Sequence, residues 1–170
     1  PVRIPVARFV PDRSQRRTLR RHGELSTRIL PLGFVDEHFQ LYRRYQQARH
    51  DGGGMSEDDP GQYAEFILKS RVESWLVEFR EQGVLRMVSL IDRLDDGLSA
   101  VYTFFDPDQP RTAYGVYNVL WQVDLARRLQ LSYLYLGYWI AESPKMAYKS
   151  RFRPLEALID GDWIPLPANG

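Results

Sequence analysis

Apolar side chains recur at two spacings along this chain, and the switches between them predict the order of its elements. Val116, Val119, Leu120, Val123 and Ala126 recur three and four apart, the stripe of one helix face, and predict a helix over about Thr112 to Gln130. Phe39, Tyr42 and Tyr45 or Gln46 repeat the pattern behind a capping Asp36, for a helix reaching about Arg49, and a shorter helix is expected over Asp59 to Lys69. Trp75 to Arg80, Leu85 to Leu94 and Leu98 to Phe105 have strand length and strand composition instead. Joined at Glu81 to Gly83 and by the hairpin signal Asp95-Asp96-Gly97, they predict three successive strands. Leu25 to Leu32 reads as a further strand, with Leu25, Thr27 and Ile29 on one face and Pro31 and Gly33 closing it. Tyr133 to Ile140 predicts a strand packed on both sides. Behind it Ser143 and Pro144, as N-cap and first helical residue, open a short helix that places Lys145 and Lys149 on one face. Leu155 to Asp160 and Trp163 to Ile164 are final strands around Gly161. At the start, Pro5 and Pro11 interrupt a short alternation, so Pro1 to Pro11 reads as an extended arm, followed by a very basic helix capped by Ser14 and ended at Gly23.

Strand, two helices, three antiparallel strands, helix, strand, short helix and two strands is the order of an α+β fold of the GNAT acyltransferase type. Its sheet is mixed but mostly antiparallel, flanked by helices, and acyl chemistry takes place where the central strands splay. The division expected is a basic arm and short helix over 1–24, leading into a GNAT-like domain over 25–170. GNAT acetyltransferases carry Arg/Gln-x-x-Gly-x-Gly/Ala after the third meander strand, where backbone N–H groups at a helix start hold the pyrophosphate of coenzyme A. Here that segment is DPDQPRTAYGVYN, Asp106 to Asn118, with Arg111 and a single Gly115, and the spacing does not match. A coenzyme A-dependent acetyltransferase is one reading of the fold, and this mismatch counts against it.

The 170 residues fit one domain, long enough to bury about two-thirds of the unfolded surface. A net charge of +1 says little about partners, but its distribution does. From Pro1 to His50 there are eleven arginines against the four carboxylates Asp12, Glu24, Asp36 and Glu37. Such a basic lobe is the footprint of phosphate contact, and solvated arginines on a helix give the same count. A non-catalytic RNA-binding module is therefore a second alternative. The chain has no cysteine, which excludes disulfides, thiolate catalysis and zinc-thiolate sites, and His22, His38 and His50 show no metal-ligand spacing. No apolar run approaches the roughly 18 residues of a membrane helix and no signal-peptide pattern opens the chain, so a soluble, cytoplasmic protein is expected.

Gly-x-Ser-x-Gly, Walker and His-Glu-x-x-His motifs are absent. An activated ester donor needs none of them. An α-amine with a pKa of about 7.7 to 8.0 is partly free at neutral pH and attacks an ester once it is positioned beside a modest proton acceptor. FVPDRSQRR (Phe9 to Arg17), YRRYQQARH running into GGGM (Tyr42 to Met55), DGLSAVYTFFDPD (Asp96 to Asp108) and YLYLGYWI with SPKMAYKSRFRP (Tyr133 to Pro154) together resemble the aminoacyl-tRNA–protein transferases of the N-end rule pathway, in their bacterial aspartate/glutamate leucyltransferase branch. The resemblance spans nearly the whole chain, in the family's order. It implies transfer of leucine, or another large apolar amino acid, from its tRNA ester to the α-amine of a protein beginning with Asp or Glu, which marks that protein for degradation. No cofactor, metal or membrane is implied. The family carries a region with a cysteine cluster just before the segment matching VRIPVARFVP, and a chain opening at Pro1 without a Met is expected to be the transferase portion alone.

Against that resemblance each candidate has two readings. Ser14, Gln15, Arg16 and Arg17 bind tRNA phosphates or the acceptor's carboxylate, or form a solvated basic helix. Lys145 and Lys149 contact the acceptor stem, or are surface charges. His50, beside Gly52 to Gly54, is a proton acceptor or phosphate ligand, or a helix C-cap. Asp92, inside the apolar run MVSLIDRL, is the proton acceptor or amine-orienting group, or a carboxylate paired with Arg86 or Arg93. Tyr102, Phe104, Tyr117, Tyr138 and Met146 form the aminoacyl and adenosine pocket, or belong to the core. Trp75, Trp121, Trp139 and Trp163 are expected in the core.

Overall fold

A computed structural model describes residues 1–49 and 59–167. In chain order its elements are β1 (Val2–Pro5), α1 (Arg13–Arg21), β2 (Ser26–Pro31), α2 (Asp36–Arg49), α3 (Pro60–Ile67), β3 (Ser74–Glu81), β4 (Val84–Arg93), β5 (Gly97–Phe105), α4 (Tyr114–Arg128), β6 (Tyr133–Gly137), β7 (Glu156–Ile159) and β8 (Asp162–Pro165), with 3-10 turns at Val6–Arg8 and Pro144–Arg151. The strands form one sheet in the order β2-β3-β4-β5-β6-β1-β7-β8. Among the described residues only β5 and β6 pair in parallel, and every other neighbouring pair is antiparallel. This is the mixed α+β sheet that the element order predicts.

Strand alternation splits the core in two. Val77, Phe79, Met87, Ile91 and Leu98 point to one face, where Val119, Leu120, Val123 and Ala126 of α4 cover them. Leu76, Val88, Leu90 and Phe104 point to the other, under Phe39, Leu41 and Tyr45 of α2 and Tyr63 and Ile67 of α3. Helices on both faces explain the runs of adjacent apolar residues in β3 and β4.

The parallel pair is short. Gly97 to Ser99 align with Tyr133 to Tyr135, after which β5 continues to Phe105 while β6 stops at Gly137, whose φ of +73° turns the chain away. Register between β4 and β5 shifts here, leaving Val101 as a bulge that bends the strand. Where the two strands converge, Gly97 is required: a Cβ there would lie 2.5 Å from the Tyr133 carbonyl oxygen.

Several expectations need correction. Pro1 to Pro11 is extended at its start, but Val2–Pro5 is a buried strand between β6 and β7 rather than an arm. Arg3 there lies over the rings of Tyr133 and Trp163, at 3.6 and 4.1 Å, and bonds Glu156 at 2.8 Å. Asp12, not Ser14, caps α1: its carboxylate accepts from Gln15 N, and the Gln15 side chain accepts from Asp12 N. Leu30 on β2 and Leu32 just past it pack inward, while Ile29 is exposed on this edge strand. The four tryptophans are half-buried; Trp75, Trp121 and Trp139 pack on the margin of the core, and Trp163 covers Arg3.

Candidate active site

Where β5 and β6 part, the structure holds a cavity of about 820 Å³. Its walls come from the bulged stretch Ala100 to Thr103, the end of β6 at Leu136 to Tyr138, the first turns of α4, the last turn of α2, and the Lys145 to Lys149 stretch of the 3-10 segment. Val116, Val119, Leu136 and Met146 make part of the lining apolar. Four cations, Arg49, Arg111, Lys145 and Lys149, also line it, and among the described residues that do so there is no Asp or Glu.

Three of the polar groups are held by specific neighbours. Lys149 Nζ donates to the Tyr138 carbonyl at 2.6 Å, and desolvation by burial lowers its pKa below the ordinary lysine value. Tyr102 OH accepts from Gln46 Nε2 at 2.7 Å, and burial pushes this phenol up to about 12, so it is a neutral hydroxyl at pH 7. Arg49 donates to Tyr45 OH at 2.5 Å.

The turn into α4 is strained. Arg111 and Ala113 have φ of +56° and +54°, and no side chain caps the helix, so its first N–H groups are left for something else to satisfy. α1 braces this turn. Arg21 donates to the Arg111 carbonyl at 2.6 Å, and His22 Nε2, buried against the rings of Tyr114 and Tyr117, donates to the Thr112 carbonyl at 2.5 Å. From nearer its other end, Gln15 Nε2 donates to the Arg151 carbonyl at 3.1 Å, at the end of the lysine-bearing segment. The basic helix is thus tied to two segments that wall the cavity.

Of the predicted site residues, the cavity gathers Tyr102, Tyr138, Met146, Lys145 and Lys149. Ser14, Gln15, Arg16 and Arg17 are not among its lining residues. Gln15 is buried with its amide committed to the cap and to Arg151, Arg16 donates to the Pro11 carbonyl at 2.7 Å, and Arg17 is exposed. Phe104 is buried under the rings of Tyr42 and Tyr63, and Tyr117 packs on His22 and Phe79, so both serve the core. Asp92 does not line the cavity either. It lies near the end of β4 opposite Ser99, and its carboxylate accepts from Ser74 Oγ at 2.5 Å rather than pairing with Arg86 or Arg93. Arg86 bonds Glu81 and Asp106 instead. His50 and the Gly52 to Gly54 run lie outside the described residues. The pattern-based reading missed Arg49, Arg111, Thr103 and Asn118. The last had a signal: an asparagine between Val116 and Val119 on the buried stripe of a helix.

Residues 37–159 match the family model described as arginine-tRNA-protein transferase, C terminus. The aspartate/glutamate leucyltransferase of Chromobacterium violaceum is 62% identical over 167 residues, 98% of this chain and 69% of that protein. Among solved structures, the C-terminal domain of a putative lysylphosphatidylglycerol synthetase from Agrobacterium fabrum superposes with a TM-score of 0.60 at 15% identity, covering 81% of this chain and 45% of that one. A ribosomal-protein-alanine N-acetyltransferase from Brucella melitensis reaches 0.50 at 19%, covering 74% and 85%. At these identities the two structures speak to the fold, which is acetyltransferase-like.

Proposed function

We infer the reaction from one premise: the chain belongs to the arginine-tRNA-protein transferase C-terminal family, and within it lies beside the aspartate/glutamate leucyltransferases. It is an aminoacyltransferase that moves leucine from leucyl-tRNA to the α-amine of a protein. The acceptors begin with Asp or Glu, the transferred leucine marks them for degradation, and the tRNA donor puts the enzyme in the cytoplasm. No helix among the described residues is long and apolar enough to cross a membrane.

The observation that carries this reading is the charge of the cavity. Four cations, with no Asp or Glu among the described residues that line the cavity, suit the last phosphates of a tRNA and the side-chain carboxylate of the acceptor. Val119, Leu136 and Met146 offer apolar surface to a leucyl group, and Tyr138 and Tyr148 offer rings to the terminal adenosine. The acceptor amine, partly unprotonated at neutral pH, attacks the ester directly with no covalent enzyme intermediate. Acid quench during turnover is expected to trap no leucyl-enzyme.

The deciding assay incubates the protein with peptides beginning in Asp, Glu and Ala, each with leucyl- or arginyl-tRNA, and reads the product by mass. Leucine is expected on the Asp and Glu peptides only. Equal transfer to Ala would overturn the acceptor assignment, and equal use of arginyl-tRNA would overturn the donor assignment. The braced turn adds a second expectation. His22→Ala releases the strained Arg111 to Ala113 backbone, stabilised now by a buried bond, and is expected to cost about 10-fold in kcat/KM. His22→Gln, whose amide can donate to the same carbonyl, should recover part of that loss; equal loss in both variants would show that packing on Tyr114 and Tyr117 matters instead.

A further inference from the structure

Between the sheet and α4, inside otherwise apolar packing, sits a closed ring of polar side chains. Ser89 Oγ donates to Asn118 Oδ1 at 2.6 Å, Asn118 Nδ2 donates to Thr103 Oγ1 at 2.9 Å, and Thr103 Oγ1 donates to Ser89 Oγ at 3.2 Å. Gln122 Nε2 adds a fourth bond to Asn118 Oδ1 at 3.0 Å. Ser89, Asn118 and Gln122 are each more than nine-tenths buried. Three such side chains in a core cost free energy that apolar residues of similar volume would not, and mutual hydrogen bonding only offsets it. Two members of the ring, Thr103 and Asn118, also line the cavity at the splay. The ring therefore joins the core to the site.

A count of hydrogen-bonding capacity shows what it presents there. An asparagine amide has two acceptor positions on oxygen and two hydrogens on nitrogen. In this arrangement Ser89 and Gln122 occupy both positions on Asn118 Oδ1. One hydrogen of Nδ2 goes to Thr103. The other is left over, on a residue that forms part of the cavity wall.

We propose that Asn118 is a catalytic residue whose remaining Nδ2–H donates to the carbonyl oxygen of the aminoacyl ester and to the oxyanion formed from it. The proposal rests on the transferase reading above. In the reaction, the acceptor's amine nitrogen bonds the ester carbonyl carbon and the C=O electron pair moves onto oxygen. That pair returns as the bond to the ribose oxygen of the tRNA breaks. The nitrogen gives up one proton and the departing ribose oxygen gains one, so the products are an amide and a tRNA with a free hydroxyl. A neutral donor locked by three neighbouring side chains needs no reorganisation as charge builds on oxygen, which is the condition under which such a donor favours the transition state over the ester.

Asn118→Asp tests this with little change of shape. Ser89 and Gln122 can still donate to one carboxylate oxygen, and the Thr103 hydroxyl can turn to donate to the other, so the ring stays satisfied while the free N–H is lost. Single-turnover transfer from leucyl-tRNA to a peptide beginning in Asp is expected to slow about 100-fold, with the concentration of leucyl-tRNA needed for half-maximal rate within about 3-fold of wild type, while the thermal midpoint falls because a carboxylate is now buried. A rate within about 3-fold of wild type, or a loss appearing in tRNA affinity instead of rate, overturns the assignment. Should Asn118→Asp fail to fold, Thr103→Val takes its place: it removes the partner that orients Nδ2, and is expected to slow the same step about 10-fold without weakening tRNA binding, whereas an unchanged rate overturns the proposal. Wild-type transfer of leucine is the prior control. Without it the functional reading fails; with it, only the role of Asn118 is at stake.

Discussion

Glu78→Ala is expected to lower the folding free energy by about 1–3 kcal/mol, measured as a drop in the urea midpoint, because it removes a buried acceptor and leaves the fully buried His38 ring without a partner. Glu78 sits in the middle of β3 with its side chain 1% exposed. His38 Nε2, fully buried on α2, meets Oε1 at 2.6 Å, and Arg80 donates from Nε and Nη2 at 3.1 and 3.2 Å. Arg80 also forks onto Glu37 at 3.0 and 2.7 Å, and Arg28 approaches from the edge strand at 3.3 Å. One carboxylate thus joins β2, β3 and α2. Without it, His38 has neither ring nitrogen bonded, since Nδ1 already lacks a partner. Glu78→Gln keeps the shape and one acceptor oxygen, and is expected to cost less.

The same carboxylate sets a pH dependence. Burial pushes its pKa up, but hydrogen bonds from Arg80 and His38 outweigh that and bring it down to about 2. A folded-state pKa below the unfolded value of about 4.3 means stabilisation that is complete above the unfolded pKa and lost as pH falls toward the folded one. Wild-type stability is expected to fall by of order 2 kcal/mol from this group between about pH 5 and pH 2, and Glu78→Gln to be flatter over that window. Parallel curves for the two proteins would show that other carboxylates dominate acid unfolding.

Periodicity made the meander and α4 legible because both are local: each strand pairs with the next, and the α4 stripe repeats within a few turns. β1 was not legible as a strand of the sheet, since its partners Tyr133 to Gly137 and Ala157 lie far along the chain and two prolines make its alternation look like an arm. The aromatic run after Leu136 looked like continuous strand because nothing in a run of Tyr, Trp and Ile announces a positive φ at the preceding glycine. That Lys145 and Lys149 come to the splay was legible from their place after the central strand. Alternation gives the face of β4 that Asp92 occupies, not its distance along the strand from the splay, so its place outside the cavity lining was not legible. Arg49 and Arg111 come to one cavity through the packing of α2 and of the strained turn, which no spacing encodes.

Lys149→Ala is expected to raise the KM for leucyl-tRNA about 10- to 100-fold, the range of one lost charge-assisted hydrogen bond, with a smaller change in kcat. Lys149 is the half-buried cation of the cavity's 3-10 wall, whereas Lys145 is exposed, and its bond to the Tyr138 carbonyl holds the ammonium where β6 ends. An exposed lysine loses most of its attraction to salt and side-chain entropy, so Lys145→Ala should cost less. Desolvation lowers the Lys149 pKa, so on the alkaline side its charge, and with it anion binding, is lost before that of an ordinary lysine. KM should therefore climb with pH in the wild type earlier than free lysine would dictate, and Lys149→Arg, charged throughout, should flatten that climb even though its planar fork cannot reproduce the point contact. The split between the two constants also separates this role from its rival. An amine whose neutral form is favoured by burial is suited to accept a proton, and a general base would lower kcat in Lys149→Ala while leaving KM in place. That outcome would move Lys149 from holding the tRNA to taking the acceptor's proton, beside an oxyanion donor on the facing helix.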